Sequence, residues 1–178
     1  MKFENYELRI ITQEDALPFF QLIENNRARL EEFFAGVLSK TKNLADTKIF
    51  IADIIEKHIA KSYYPYVIID TSTQGLIGYI DAKNIDWSLP KAEFGYFIDE
   101  KYTGKGIASN ALELIGDYFF NELGMIKLLL RIYEGNKASR RAAEKCGFIA
   151  EGAIRKDYRT TKGEVVDMMY YGKINSFF

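Results

Sequence analysis

The chain is poor in the residues that build cross-links and metal centres. Its 178 residues include one Cys and one His, which excludes an intrachain disulfide and the usual Cys/His zinc sites. No apolar run nears the roughly 18 residues that a membrane-spanning helix needs. The opening Met-Lys-Phe-Glu-Asn-Tyr-Glu carries no apolar segment of the secretory kind. Net charge is almost absent as well. The 24 Lys and Arg against 25 Asp and Glu give no bulk attraction to nucleic acid or to a membrane surface. The expectation is a soluble, cytoplasmic protein without metal, whose chemistry comes from ordinary side chains, backbone groups or a bound cofactor.

What is present suits one domain. Hydrophobic residues at 48% and charged residues at 28% are ordinary for a globular chain. At this length folding buries about 70% of the extended-chain surface, so one domain over residues 1–178, with its core between about 8 and 174, is expected. Thirteen Phe and twelve Tyr are expected mainly in that core, where each ring buries a large area.

Apolar spacing predicts a strand at Leu8–Ile11, then a helix capped by Thr12 with Ala16, Leu17, Phe19, Phe20 and Ile23 on one face. A second helix is predicted over Arg29–Val37, a polar loop over Lys40–Asp46, and a helix over Thr47–Lys61. The period then changes to two. Tyr66–Ile69 and Leu76–Ile85 form a hairpin, and Ala92–Asp99 a third strand, in which Gly95 marks a bulge or a close backbone approach. Gly104-Lys105-Gly106 opens a long helix to about Leu123. Ile126–Tyr133 reads as a strand buried on both faces. Asn136–Cys146 is a helix closed by Gly147, and Ile149–Ile154 with Val165–Ile174 is a final hairpin. The strand–helix–strand run from Ala92 to Tyr133 requires a parallel pair with a right-handed crossover. The predicted fold class is α/β of the mixed α+β kind, a mostly antiparallel sheet with helices on both faces.

Two segments carry chemistry. A helix start offers unpaired N–H groups and the positive end of the dipole, and glycine lets a phosphate reach the backbone, which is what Gly104–Ala108 provides. The segment is neither a Walker A loop nor Gly-x-Gly-x-x-Gly, since residue 109 is Ser. The second segment, Asn136 to Phe148, is a capped helix with Ser139 one turn in.

In this order and on these elements, the two segments resemble the GNAT family of acetyl-CoA-dependent N-acetyltransferases. Lys91 to Asp99, Tyr102 to Leu112, Asn136-x-x-Ser139, Glu144 to Phe148, Glu151 to Tyr158 and Gly163 to Asp167 look like the RimJ/RimL-type branch, which acetylates protein N-termini including ribosomal ones. The resemblance implies the GNAT fold, with a splayed parallel pair in a twisted sheet, and acetyl-CoA as cosubstrate. It implies that the amides of Thr103, Gly104, Lys105, Gly106, Ile107 and Ala108, with Ser109 beside them, cradle the pyrophosphate. Thr103 stands where the family pattern has Gln or Arg. Tyr96, Phe97 and Ile98 are implied to pair with pantetheine beside the diverging strand Leu128–Ile132. Asn136 matches the Asn that holds the pantetheine arm, and Ser139 the position proposed as acid for the departing thiolate.

A direct attack of amine on thioester in a ternary complex needs orientation and proton removal, with no enzyme nucleophile. Cys146 is expected to be packed and His58 to lie on a solvated face. The base is then a carboxylate or a water chain, with Glu93 first and Asp157 second; Tyr158 stands at the place that matches the relatives' carboxylate. Asp81 and Asp86 are candidates for binding the amine. The acceptor implied is a protein N-terminus; the alternatives are a small-molecule amine (polyamine, amino sugar or aminoglycoside) and a non-catalytic acyl-CoA-binding module. Met168–Tyr171 and Phe177-Phe178 are candidates for a homodimer contact.

Overall fold

The computed structural model describes residues 1–177. Eight strands form one sheet: β1 (Lys2–Phe3), β2 (Tyr6–Ile10), β3 (Tyr64–Asp70), β4 (Gly75–Asp86), β5 (Lys91–Ile98), β6 (Lys127–Tyr133), β7 (Ile149–Arg159) and β8 (Val165–Ile174). Their order is β1-β2-β3-β4-β5-β6-β8-β7. Every neighbouring pair is antiparallel except β5 and β6, which are parallel. The helices are α1 (Ala16–Leu30), α2 (Ala35–Leu38), α3 (Leu44–Ile59), α4 (Ile107–Asn121) and α5 (Lys137–Lys145). This is the mixed, mostly antiparallel sheet expected, with α4 linking the parallel pair.

Two hydrophobic clusters sit on opposite faces. On one, Ile107, Ala111, Leu112, Ile115 and Phe119 of α4 and Ala143 of α5 pack on Ile80, Phe94, Leu130 and Tyr171. On the other, Phe19 and Ile23 of α1 with Ile51 and Ile54 of α3 cover Val67, Tyr79 and Phe97. Alternation along β5 assigns Ala92, Phe94 and Ile98 to the α4 face and sends Glu93, Gly95 and Phe97 to the other.

Several boundaries differ from expectation. The first helix continues to Leu30, because Leu22, Ile23, Asn26 and Leu30 extend its buried face, and only Ala35–Leu38 remains of the second. Thr12 donates its hydroxyl to Asp15 at 3.1 Å rather than capping α1 directly. The polar loop is shorter than expected, since Asn43 accepts a hydrogen bond from the Asp46 amide at 2.9 Å and starts α3. β6 alternates instead of being buried on both faces: Leu128, Leu130 and Ile132 are buried, whereas Leu129, Arg131 and Tyr133 are half-buried. β7 continues past Ile154 as an exposed edge strand. The bulge falls in β4, where Asn84 adopts φ 50° and the register shifts between Lys83 and Asp86. Gly95 is instead a place of close approach. Met168–Tyr171 lie in β8, which has strands on both sides, and Tyr171 is fully buried. Phe177 is exposed, and Phe178 lies outside the described residues.

Phe119 is fully buried and meets Tyr64 and Phe94 edge-on at 5.2 and 5.0 Å between centroids. Phe119→Ala is expected to cost about 3–5 kcal/mol in equilibrium urea unfolding. A loss below about 1 kcal/mol contradicts this packing.

Candidate active site

The parallel pairing joins Lys91–Phe94 to Lys127–Leu130 and stops there. β5 stays on β4 as far as Ile98, and β6 stays on β8 as far as Tyr133. The two central strands therefore diverge beyond Phe94 and Leu130. The β6-facing polar groups of Gly95–Ile98 meet no strand. Two cavities open into this fork, a groove of about 590 Å³ and a cleft of about 330 Å³. They share Phe33, Phe34, Tyr96, Asn136 and Ser139 in their walls.

The groove runs from Tyr96, Phe97 and Ile98 to Thr103, Gly104, Gly106, Ile107, Ala108 and Ser109. Gly104 and Gly106 hold φ of 76° and 78°, a left-handed conformation that favours glycine. Gly106 begins α4 without a side-chain cap. Among the described residues none accepts a hydrogen bond from the amides of Gly104 to Ser109. The Thr103 amide is outside this set, because it donates to Glu100 O at 3.1 Å; the donor series is thus one residue later than expected. Lys105 is absent from the groove wall, its ammonium lying over the Tyr102 ring at 4.8 Å. Lys145 Nζ stands 4.0 Å from where a Cβ on Gly106 would lie. Unfilled amides at a helix start, with a cation beside them, fit a diphosphate.

At the fork, Asn136 Oδ1 accepts from the Ser139 amide at 3.1 Å, and Ser139 Oγ lies 2.8 Å from the Tyr96 hydroxyl. Burial pushes the Tyr96 phenol up to about 12, so it stays protonated at neutral pH. Tyr96 was expected only for its backbone; its hydroxyl beside Ser139 is a second proton-bearing group at the junction.

The cleft lies on the opposite side of the fork, under α2, α3 and the turn that follows α1. Asp81 is 2% exposed; it accepts from the Tyr63 hydroxyl and pairs with Lys83 Nζ at 3.1 Å. Both groups lie over Gly95, where a Cβ would come within 2.7 Å of Asp81 Oδ1 and of Lys83 Nζ. Glu93, 8% exposed, accepts from Asn84 Nδ2 at 2.9 Å and from Arg131 Nε at 3.0 Å. Arg131 reaches on to Asp157 at 3.3 Å, which also accepts from the Tyr170 hydroxyl at 2.9 Å. Burial alone would lower the Arg131 pKa, but Glu93 and Tyr170 together reverse this, so the guanidinium stays charged. Asp157 reaches this position because Arg155, Lys156 and Asp157 stand against Asp167 alone in the β7–β8 register, with Lys156 at φ 57°. Tyr158 accepts from the Ala35 amide at 2.8 Å and ties that bulge to α2.

The structure thus brings Glu93 and Asp81 to one cleft, whereas Asp157 stands behind its wall and joins it only through Arg131. Asp86 lies outside it, accepting from the Ser88 amide at 2.9 Å and the Leu89 amide at 3.1 Å in a turn. Cys146 is buried and bonds the Ser109 carbonyl at 3.3 Å, and burial raises its thiol pKa. His58 is half-buried rather than solvated, edge-on to Tyr64 at 4.9 Å. Sequence reasoning missed Arg131, Asn84 and Tyr63. For Arg131 a signal existed, a cation between Leu130 and Ile132.

A mixed sheet forked at its parallel pair, with a donor loop at the start of the crossover helix, is the architecture of the GNAT acetyltransferases. The chain belongs to that family: residues 6–149 match the family model described as an acetyltransferase (GNAT) domain. The ribosomal N-acetyltransferase candidate YdaF of Bacillus subtilis is 31% identical over 94% of this chain and 90% of its own length. The spermidine N(1)-acetyltransferase of Vibrio cholerae is 25% identical over 85% and 83%. Among solved structures, the ribosomal-protein-S5-alanine acetyltransferase of Vibrio fischeri superposes with a TM-score of 0.92 at 24% identity, covering 99% of this chain and 96% of that one. A ribosomal L7/L12 α-N-protein acetyltransferase in complex with coenzyme A gives 0.89 at 21% identity, covering 97% and 95%. The protein is an acetyl-CoA-dependent acetyltransferase acting on an amine.

The neutral Tyr96 phenol has a stability consequence. An unfolded tyrosine ionises near about pH 10, and the folded one at about 12. The raised value stabilises the fold below the first pH and loses that contribution as pH climbs through the second. Tyr96→Phe removes this share, so its urea midpoint is expected to fall less steeply than that of the wild type across the window. Parallel slopes contradict the assignment.

Proposed function

We propose that the acceptor is the α-amine of a protein N-terminus, with acetyl-CoA in the groove and the acceptor entering through the cleft. The observation that carries this reading is the charge state of the cleft. Its carboxylates are already neutralised: Asp53 by Lys57 at 2.7 Å, Asp81 by Lys83, and Glu93 by Arg131. Lys40 adds a further cation to the wall. A polyamine would bring several more positive charges into a cleft whose wall already holds four cations against three carboxylates. A single amine followed by neutral or acidic residues meets no such repulsion. The names of relatives include both ribosomal-protein and spermidine acetyltransferases, and the charge of the cleft wall is what supports the protein acceptor over the polyamine.

Bound acetyl-CoA supplies a thioester carbonyl as the electrophile. The amides of Gly104 to Ser109 hold its diphosphate, with Lys145 adding charge, and the free edge of Tyr96–Ile98 orients the pantetheine like an added strand. Asn136 steadies the same arm. Glu93 takes the proton of the attacking amine through one water, and Arg131 holds Glu93 and Asp157 in place. Asp157, bridged to Glu93 through Arg131, is the second candidate carboxylate. Ser139, hydrogen-bonded to Tyr96, donates toward the departing sulfur.

Three assays test this reading. With peptides bearing neutral or acidic N-terminal residues, acetylation is expected to exceed that of spermidine; the reverse order overturns the acceptor assignment. Gly106→Val is expected to abolish measurable coenzyme A binding in calorimetry, with circular dichroism checking that the fold survives a β-branched residue at φ 78°, and unchanged affinity overturns the donor site. Glu93→Gln is expected to lower turnover about a hundredfold at neutral pH, with much of it recovered at alkaline pH, where the amine is already neutral. Full activity of both Glu93→Gln and Asp157→Asn shows that bulk water removes the proton.

A further inference from the structure

The cleft already contains a primary amine. Lys83 stands opposite Glu93 in the β4–β5 register, and its side chain is 31% exposed. Its ammonium rests on buried Asp81 at 3.1 Å and lies 2.7 Å from where a Cβ on Gly95 would be. Gly95 is the first β5 residue beyond the last paired position of the fork and is followed by Tyr96, which lines both cavities. Of the three lysines in the cleft wall, Lys57 is held by Asp53 on α3 at 2.7 Å. Lys40 lies over the Phe50 ring at 5.9 Å. Lys83 alone abuts the strand that the proposed thioester would lie against.

We propose that Lys83 is a self-acetylation site, an intramolecular acceptor that reacts when acetyl-CoA is bound and no other amine fills the cleft. The proposal rests on the reading that the groove holds acetyl-CoA. A four-carbon stem on a β-strand, with its nitrogen already at the fork, gives the amine a high effective concentration toward anything bound there. In the step, the ammonium first releases one proton to solvent by way of Asp81. Its nitrogen then bonds to the acetyl carbonyl carbon as the carbon–sulfur bond breaks. The second proton lost from nitrogen ends on the sulfur, so the products are acetyl-lysine and coenzyme A thiol. No further reactant is needed. The amide formed carries no charge, so acetylation removes the cation from Asp81 and leaves that buried carboxylate for an incoming ammonium.

The test is mass spectrometry of the full-length protein incubated with acetyl-CoA and no acceptor. One acetyl group is expected, mapped by peptide analysis to Lys83 and lost in Lys83→Arg. The half-time of labelling is expected to be independent of protein concentration, and Gly106→Val is expected to stay unlabelled at Lys83. Equal labelling of Lys83 in Gly106→Val, or in protein unfolded by urea, identifies chemical acetylation and overturns the proposal. A rate that rises with protein concentration makes a second copy the donor and overturns it as well. An enzyme that acetylates an added peptide but never Lys83 overturns this inference alone. Absence of both reactions, together with absent coenzyme A binding, removes the donor-site reading beneath it.

Discussion

The parting of β5 from β6 after Phe94 and Leu130 is the constraint on which the rest of the molecule depends. Each strand keeps its outer neighbour, β4 for one and β8 for the other, and the two halves of the sheet diverge between those attachments. The core fixes where this happens. Phe94 and Leu130 are the last paired residues and both are buried in the α4-face cluster, with Phe94 edge-on to Phe119. Backbone groups without a strand partner demand another partner, and Arg29 already donates to the Ile98 carbonyl from α1. The groove follows from the opened edge, and the cleft from the gap on the other face.

The cleft is built from buried charges that compensate one another. Asp81, Glu93 and Arg131 would each be costly to bury alone, and the pairs are costly to break once formed. A polar network this well satisfied is rigid. It sets the charge of the cleft wall, and it holds Glu93 and Asp157 on one guanidinium although they come from β5 and β7. The site is therefore assembled across the fork, by two strands that do not touch each other.

Much of this was legible in the sequence because local signals agreed with the tertiary outcome. Gly104 and Gly106 marked the turn into α4, and β8 runs over the span Val165–Ile174 read for it. Failures came where tertiary contacts overrode a local pattern. The apolar run of β6 looked buried on both faces, yet Arg131 and Tyr133 face the cleft. β7 lacks apolar residues beyond Ile154 because it is an exposed edge, so pattern alone ended it early. Gly95 was read as a bulge or a close approach and is the latter, whereas Asn84 gave no sign that its left-handed backbone would carry the bulge. The pairing of Glu93 with Arg131 spans 38 residues, and no spacing rule reaches that far.

Amide hydrogen exchange with and without coenzyme A tests the central claim most directly. The account expects new protection at Gly104–Ser109 and at Tyr96 and Ile98, whose amides turn away from β4, with β7 and β8 unchanged. Binding that leaves both stretches exchanging as in the free protein would contradict it.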